Sequence, residues 1–205
     1  MLTNRDIEVI RSIGEYRTLT SQQIIKLHFP SYATFQRRLR RELIPNRYVK
    51  EPFYLQTERL GERIPTYQLG RKGKKLYNKK YKGLKLNPHY LFHFVEVNRI
   101  LIYFKRLISS FKHEYREGSV QMDAFCRFKN GEKVSFEIDL SEKESKYEIQ
   151  RQYKNYEDIQ IDKLFFFSNR ADKIANWVDE VADSDLEVYC VKRENKYMRR
   201  VLNSF

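Results

Sequence analysis

Between residues 31 and 43 (SYATFQRRLRREL) the apolar side chains Tyr32, Phe35, Leu39 and Leu43 recur at three- and four-residue spacing. That spacing predicts a helix with one buried stripe. At about 100° per residue, the opposite face carries Thr34, Arg37 and Arg41, flanked by Arg38 and Arg40. Two shorter helices are predicted upstream. Thr3-Asn4-Arg5-Asp6 has the spacing of a capping box, and opens a helix with Ile7, Ile10 and Ile13 on one side, ending near Gly14. Thr20-Ser21-Gln22-Gln23 caps the second, whose apolar residues are Ile24, Ile25 and Leu27 and which Pro30 closes. Downstream, residues 48–55 alternate weakly and residues 64–69 (IPTYQL) read as a returning strand. The polar stretch TERLGER between them contains Gly61 and predicts an exposed hairpin tip bearing Arg59 and Arg63. Three helices followed by a two-stranded hairpin are the order of a winged helix-turn-helix.

The pattern changes after Pro88. Residues 89–108 are apolar on nearly every side and predict a buried helix against a sheet, and residues 113–116 suit a short edge strand. Val120, Met122, Ala124, Cys126 and Phe128 alternate with polar neighbours, as do Val134, Phe136, Ile138 and Leu140. A helix over about 142–159, a buried strand over 163–168, a helix over 171–181 around Ile174, Trp177 and Val178, and a last strand over 187–191 follow. The fold class is therefore α+β or α/β. A winged helix over residues 1–86 precedes a domain over residues 87–205, built as a mixed sheet flanked by helices.

The first two strands of that sheet allow a choice of register. A two-residue Asn130-Gly131 turn would set Asp123 opposite Ile138 and mix the two faces. A three-residue Lys129-Asn130-Gly131 turn, with Gly131 left-handed, sets Asp123 opposite Glu137 and Gln121 opposite Asp139. The apolar residues then share one face, and Asp123, Glu137 and Asp139 gather on the other.

Charge sharpens the division. The 205 residues carry a net +13, and all of the excess lies in residues 1–90, which hold 20 Lys/Arg against 7 Asp/Glu. The remainder is neutral. A basic first half points to a polyanion, and the cluster RKGKKLYNKK at residues 71–80 adds six cations at the base of the wing. An arginine-faced helix suits the major groove of double-stranded DNA, because a guanidinium donates two parallel hydrogen bonds to a guanine edge. On this reading Thr34, Arg37 and Arg41 meet bases. Arg38, Arg40, Arg59, Arg63, Arg71, Lys72, Lys74 and Lys75 meet the backbone. No apolar run is long enough to cross a membrane, and no leader pattern opens the chain, so a cytoplasmic location is expected. Cys126 and Cys190 have no CxxC partner and read as thiols of a reducing compartment. His89 and His93 share a helical face without a third ligand, and Gly70-Arg71-Lys72-Gly73 reads as a strand-to-helix turn.

Three carboxylates on one face repel one another unless something neutralises them. A hard divalent cation, which takes oxygens at roughly 2.0–2.1 Å, would do so; so would pairing with Lys133, Lys143 or Lys146 on a solvated face. Asp123, then Glu137-Ile138-Asp139 on the next strand, then Gln152-x-x-x-Tyr156 on a helix resembles a PD-(D/E)XK nuclease-like core, a restriction-endonuclease-like fold. The stretches LTNRDIEVI, LTSQQIIKLHF, RRLRREL, TYQLGRKGKKL and FEIDLSEKESK, spread over nearly the full length, resemble the bacterial replication-relaxation family of plasmids and mobile elements. Its members pair a winged helix with a nuclease-like domain.

That resemblance implies Asp123 and Glu137 as ligands of Mg²⁺ or Mn²⁺, with Gln152 and Tyr156 as the helical motif. It also exposes a departure: Asp139 stands where the catalytic lysine belongs, so a cation such as Lys146 would have to reach the site from the following helix. Two expectations follow. One is a sequence-specific binder of double-stranded DNA acting in plasmid or mobile-element replication, relaxation, transfer or their regulation. The other is a metal-dependent DNA nuclease that uses Asp123, Glu137, Asp139, Lys146, Gln152 and Tyr156. A further expectation is that the neutral C-terminal domain is a docking platform for a relaxase or replication initiator, and the sequence leaves monomer and homodimer open.

Overall fold

Both expected helix caps form, each as a full capping box. In the computed structural model, which describes residues 1–56, 63–78, 81, 83–84, 87–140 and 145–193, Thr3 and Asp6 bond reciprocally at the start of α1 (Asn4–Glu15). Thr20 and Gln23 do the same at the start of α2 (Ser21–His28), which follows the two-residue strand β1 (Leu19–Thr20). Each box satisfies amide hydrogens that a helix start would otherwise leave unpaired. Ser31 caps α3 (Tyr32–Arg38) through the Thr34 amide.

The arginine helix departs from its expected form in two ways. Beyond Arg38 it continues as a π-helical turn, Leu39–Leu43, closed by the Ile44 amide on the Leu39 carbonyl five residues back. Phe35, Leu39 and Leu43 are buried as expected, but Tyr32 is 58% exposed. Tyr32 is the first residue after the cap, on the opening turn, where the helix has not yet met the core.

β2 (Phe53–Gln56) and β3 (Arg63–Tyr67) pair antiparallel, and β1 pairs with β3 on the far side, giving the order β1-β3-β2. The hairpin tip, with Arg59 and Gly61, lies outside the described residues. Gly70 caps α4 (Arg71–Tyr77) from an extended conformation, so the expected strand-to-helix turn forms. This helix lies tight on the segment before β2. Its Lys72 amide donates to the Arg47 carbonyl at 3.0 Å, and a Cβ on Gly73 would stand 2.0 Å from the Tyr48 carbonyl oxygen. Only glycine permits that approach.

The chain divides into the units Met1–Ile102 and Tyr103–Phe205. The polar contacts of α5 (Pro88–Tyr103) run into the first unit: Asn98, fully buried, donates to the Tyr16 and Thr18 carbonyls at 3.0 and 2.6 Å, and the Val95 carbonyl accepts from Gln23 at 2.8 Å. Leu91, Phe94 and Val95 pack with Leu55 of β2 and with Leu84.

The second unit is a five-stranded sheet in the order β4 (Ile108–Glu117), β5 (Val120–Phe128), β6 (Lys133–Ile138), β7 (Lys163–Phe167), β8 (Glu187–Val191). The first three strands are antiparallel, and β6-β7-β8 are parallel. The parallel pairs need crossovers, supplied by α6 (Lys146–Glu157) and α7 (Ala171–Asp179). Because these strands are added in one direction, right-handed connections put both helices on one face. There Ile149, Tyr153, Ile174 and Val178 bury Leu164 and Phe166. The other face gathers Phe104, Phe128, Phe136, Phe165 and Phe167. β4 is ten residues long, well beyond the short edge strand expected, since pairing with β5 holds residues of little intrinsic strand preference.

The three-residue turn forms. Phe128 and Glu132 close it, Gly131 has φ +96°, and Ala124 faces Phe136. The clean segregation of faces does not survive. Val120 and Met122 join the α6–α7 core while Phe128 lies on the opposite side, and the alternation slips beside Glu114, whose φ is +48° in the middle of β4.

One ion pair ties the N-terminal helix to the arginine helix. Asp6, fully buried, accepts from Arg38 Nε at 3.1 Å and from a second guanidinium nitrogen, besides its Thr3 bonds. Burial alone would raise the Asp6 pKa; the Arg38 and Thr3 bonds outweigh it and hold the carboxyl below its ordinary value. A depressed pKa contributes stability above the unfolded value of 3.8 that is lost as pH falls through the folded value. We expect Asp6→Ala to cost about 2–3 kcal/mol in urea unfolding near neutrality. The gap to wild type should shrink on acidification below the ordinary carboxylate range.

Candidate functional site

In the first unit the residues expected to meet DNA divide by what they touch. Arg37, Arg40, Arg41, Arg63, Arg71 and Lys75 are exposed, and among the described residues none has an acidic partner. Thr34 is half-buried, its hydroxyl sharing a hydrogen bond with Ser31 at 3.0 Å. Lys72 lies over the Tyr48 ring and Lys74 over the Tyr81 ring, at 5.8 and 5.5 Å from the centroids. Arg38 is different, because its guanidinium is engaged by Asp6 and by the Met1 carbonyl. The exposed face thus runs through Arg37, Arg40 and Arg41, with the π-turn setting the angle of the last two.

In the second unit Asp123, Glu137, Gln152 and Tyr156 come together. The β5–β6 ladder runs out above Ala124 and Phe136, and side chains take over its bonds. The Asp123 amide donates to Glu137 Oε1 at 3.3 Å, and the Ile138 amide to Asp123 Oδ2 at 2.8 Å. From α6, Gln152 Nε2 donates to Glu137 Oε2 at 3.2 Å and the Tyr156 hydroxyl donates to Oε1. Glu137 is only 7% exposed. Ser145 starts α6 with a capping box of its own, which sets the phase that turns Gln152 and Tyr156 to the sheet.

The third carboxylate is not an unneutralised member of this group. Asp139 sits on the same face, but its Oδ2 accepts from Ser168 at 2.7 Å and from Arg170 at 2.9 and 3.3 Å. The expectation of three acids without an adjacent cation is corrected by that ion pair. Ser168 and Arg170, between β7 and α7, carry no sequence signal beyond a polar triplet at a strand end. Lys146 does not reach back over the sheet; its ammonium pairs with Glu180. Among the described residues no group of three or more His, Cys, Asp or Glu is placed to hold a metal. His89 is exposed, and Cys126 and Cys190 are free thiols whose pKa burial raises, Cys190 to about 12.

A winged-helix order of elements joined to a mixed sheet with a buried acidic corner defines a two-part chain, one part basic and one neutral. It belongs to the replication-relaxation family, whose sequence model matches residues 10–165, from α1 into β7. Membership supports a role in the replication or relaxation of plasmids or mobile elements. No curated protein and no solved structure matches the chain. No helix of the described residues is long and apolar enough to cross a membrane.

Burial, and then the Glu137 charge, push the Tyr156 hydroxyl far above its ordinary value of 10.0. A raised pKa contributes stability below the unfolded value that is lost as pH climbs past it. Wild type should therefore lose stability steeply above pH 10.0. Tyr156→Phe should be weaker by about 1–3 kcal/mol at neutrality and flatter on the alkaline side, read by urea midpoints across pH.

Proposed function

We propose that the chain is a sequence-specific binder of double-stranded DNA in plasmid or mobile-element replication or relaxation. The observation that carries this reading is the exposed row Arg37, Arg40 and Arg41 on a helix whose other side is buried through Phe35, Leu39 and Leu43. A rigid helix with guanidinium groups on its outer face can present bidentate donors to guanine edges. Arg71, Lys72, Lys74 and Lys75 of α4 supply charge for phosphates. Arg38, held by Asp6, fixes the helix in place instead of contacting DNA.

Arg37→Ala should relax base preference at one position by about 1–3 kcal/mol in a binding-site selection assay. Lys74→Ala with Lys75→Ala should weaken binding to all sequences and flatten the slope of log affinity against log salt by about 1.8. Affinity indifferent to salt and to all three changes would sink the model.

A second reading rests on Asp123 and Glu137 lying side by side. Carboxylates are the donors a hard divalent cation takes, and Mg²⁺ commonly uses one or two of them together with water and phosphate oxygens. Here Asp123 and Glu137 would hold it, and the ion would supply an activated water. The cation nearest the position of the missing lysine is Arg170, already paired with Asp139. Supercoiled plasmid incubated with Mg²⁺ decides: nicking abolished by Asp123→Ala and by Glu137→Ala establishes a nuclease. Intact plasmid that is still bound leaves the binding reading standing alone.

A further inference from the structure

On the same face of the sheet as the carboxylates, β4, β5 and β6 form a concavity of about 200 Å³. Its floor follows from the register. Ser110, Arg127 and Lys133 lie in one row across the three strands, and Lys112, Phe125 and Ser135 in the next. Tyr115 joins them because the alternation slips along β4 and β5; its ring lies 4.9 Å from that of Phe125, tilted by 33°. Lys112 Nζ stands 4.6 Å from the Tyr115 centroid. Among the described residues Lys112, Arg127 and Lys133 have no acidic partner for their side chains, although Glu117 lines one rim. Two half-buried aromatic rings thus stand among three cations that have no acidic partner among the described residues, one of them already over a ring.

We propose that this surface binds single-stranded DNA, Tyr115 and Phe125 stacking bases while Lys112, Arg127 and Lys133 meet phosphates. Every base offers a π-face, so stacking on aromatic side chains with backbone cations holds a strand without reading its sequence. A duplex keeps its bases stacked inside and would offer this surface only phosphates, leaving both rings unused. The bound strand would run toward Asp123 and Glu137, which lie two residues along β5 and β6 from Phe125 and Ser135. The inference rests on the reading of the chain as a DNA-binding protein, and adds a contact of different strandedness on the second unit, whereas the arginine helix belongs to the first.

The test is fluorescence anisotropy on the full chain with a labelled oligothymidine and, separately, a labelled duplex carrying the site selected by wild type. Three forms are compared: wild type, Phe125→Leu, and the pair Arg127→Gln with Lys133→Gln. Phe125→Leu should weaken oligothymidine binding about tenfold, the loss of one stacked base. The double change should flatten the single-strand salt slope by about 1.4. Duplex affinity should stay at the wild-type value throughout, and the exposed Arg127 keeps the charge change independent of folding.

Failure of wild type to bind the duplex would overturn the major-groove reading alone. Oligothymidine affinity unchanged in every variant, or absent in wild type, would overturn this one. So would equal loss of duplex binding, which would make the patch part of the duplex site, or displacement of oligothymidine by polyglutamate at matched charge, which would make it a dock for acidic peptide.

Discussion

A carboxylate removed from water has to be met by donors, and Glu137 is removed from water in the middle of a sheet. Its two oxygens collect the Asp123 amide, the Gln152 amide group and the Tyr156 hydroxyl. Two of these come from α6, so the crossover helix must pass over β6 at one height and in one rotation. Leaving the acid partly satisfied would cost more than having no acid there at all. Asp139 imposes the same condition two residues further on, met by Ser168 and Arg170 at the end of β7. Glu137 of β6 and Asp139 just past its end thus anchor α6 and the approach to α7, and Ile149, Tyr153, Ile174 and Val178 pack in one apolar cluster.

Local chemistry was readable in the sequence; choices that depend on distant partners were not. The helix caps at Thr3 and Thr20 involve residues three apart, and both were visible. The register of β5 on β6 was visible too, because a turn length either keeps Asp123 with Glu137 or does not, and Gly131 takes the positive φ of the three-residue turn without steric cost. The family resemblance singled out Gln152 and Tyr156, and α6 carries both to Glu137. By contrast, nothing near Asp139 announces Arg170, thirty-one residues away, and a lysine on the neighbouring helix was the natural alternative until Glu180 took it. The slip in alternation at Met122 escaped for a related reason. Strand periodicity reports burial, and Met122 and Ala124 are both fully buried although on opposite sides of the slip, so the buried-exposed alternation runs through it unbroken.

The arginine helix shows how a charge count misleads without geometry. Five polar or basic residues crowd its outer arc in projection, yet Arg38 turns inward to a buried aspartate and Tyr32 turns out. The ion pair eases the crowding of like charge on α3, because Arg38 is neutralised by Asp6 while Arg37, Arg40 and Arg41 remain exposed. Replacing that pair would alter the angle of Arg40 and Arg41 as well as stability, since the helix is fixed at its start by Ser31 and at its side by Asp6.

The neutral balance of the second half hides a strong local separation of charge. Two of its acids, Glu137 and Asp139, are turned to donors inside the sheet face, while Lys112, Arg127 and Lys133 stand on β4, β5 and β6. The Asp139 charge is cancelled by Arg170, whereas Lys112, Arg127 and Lys133 have no acidic partner among the described residues and still attract a polyanion. The field at that face is therefore more positive than composition implies. A domain with zero net charge can in this way present an anion-attracting surface that no count over its sequence would reveal.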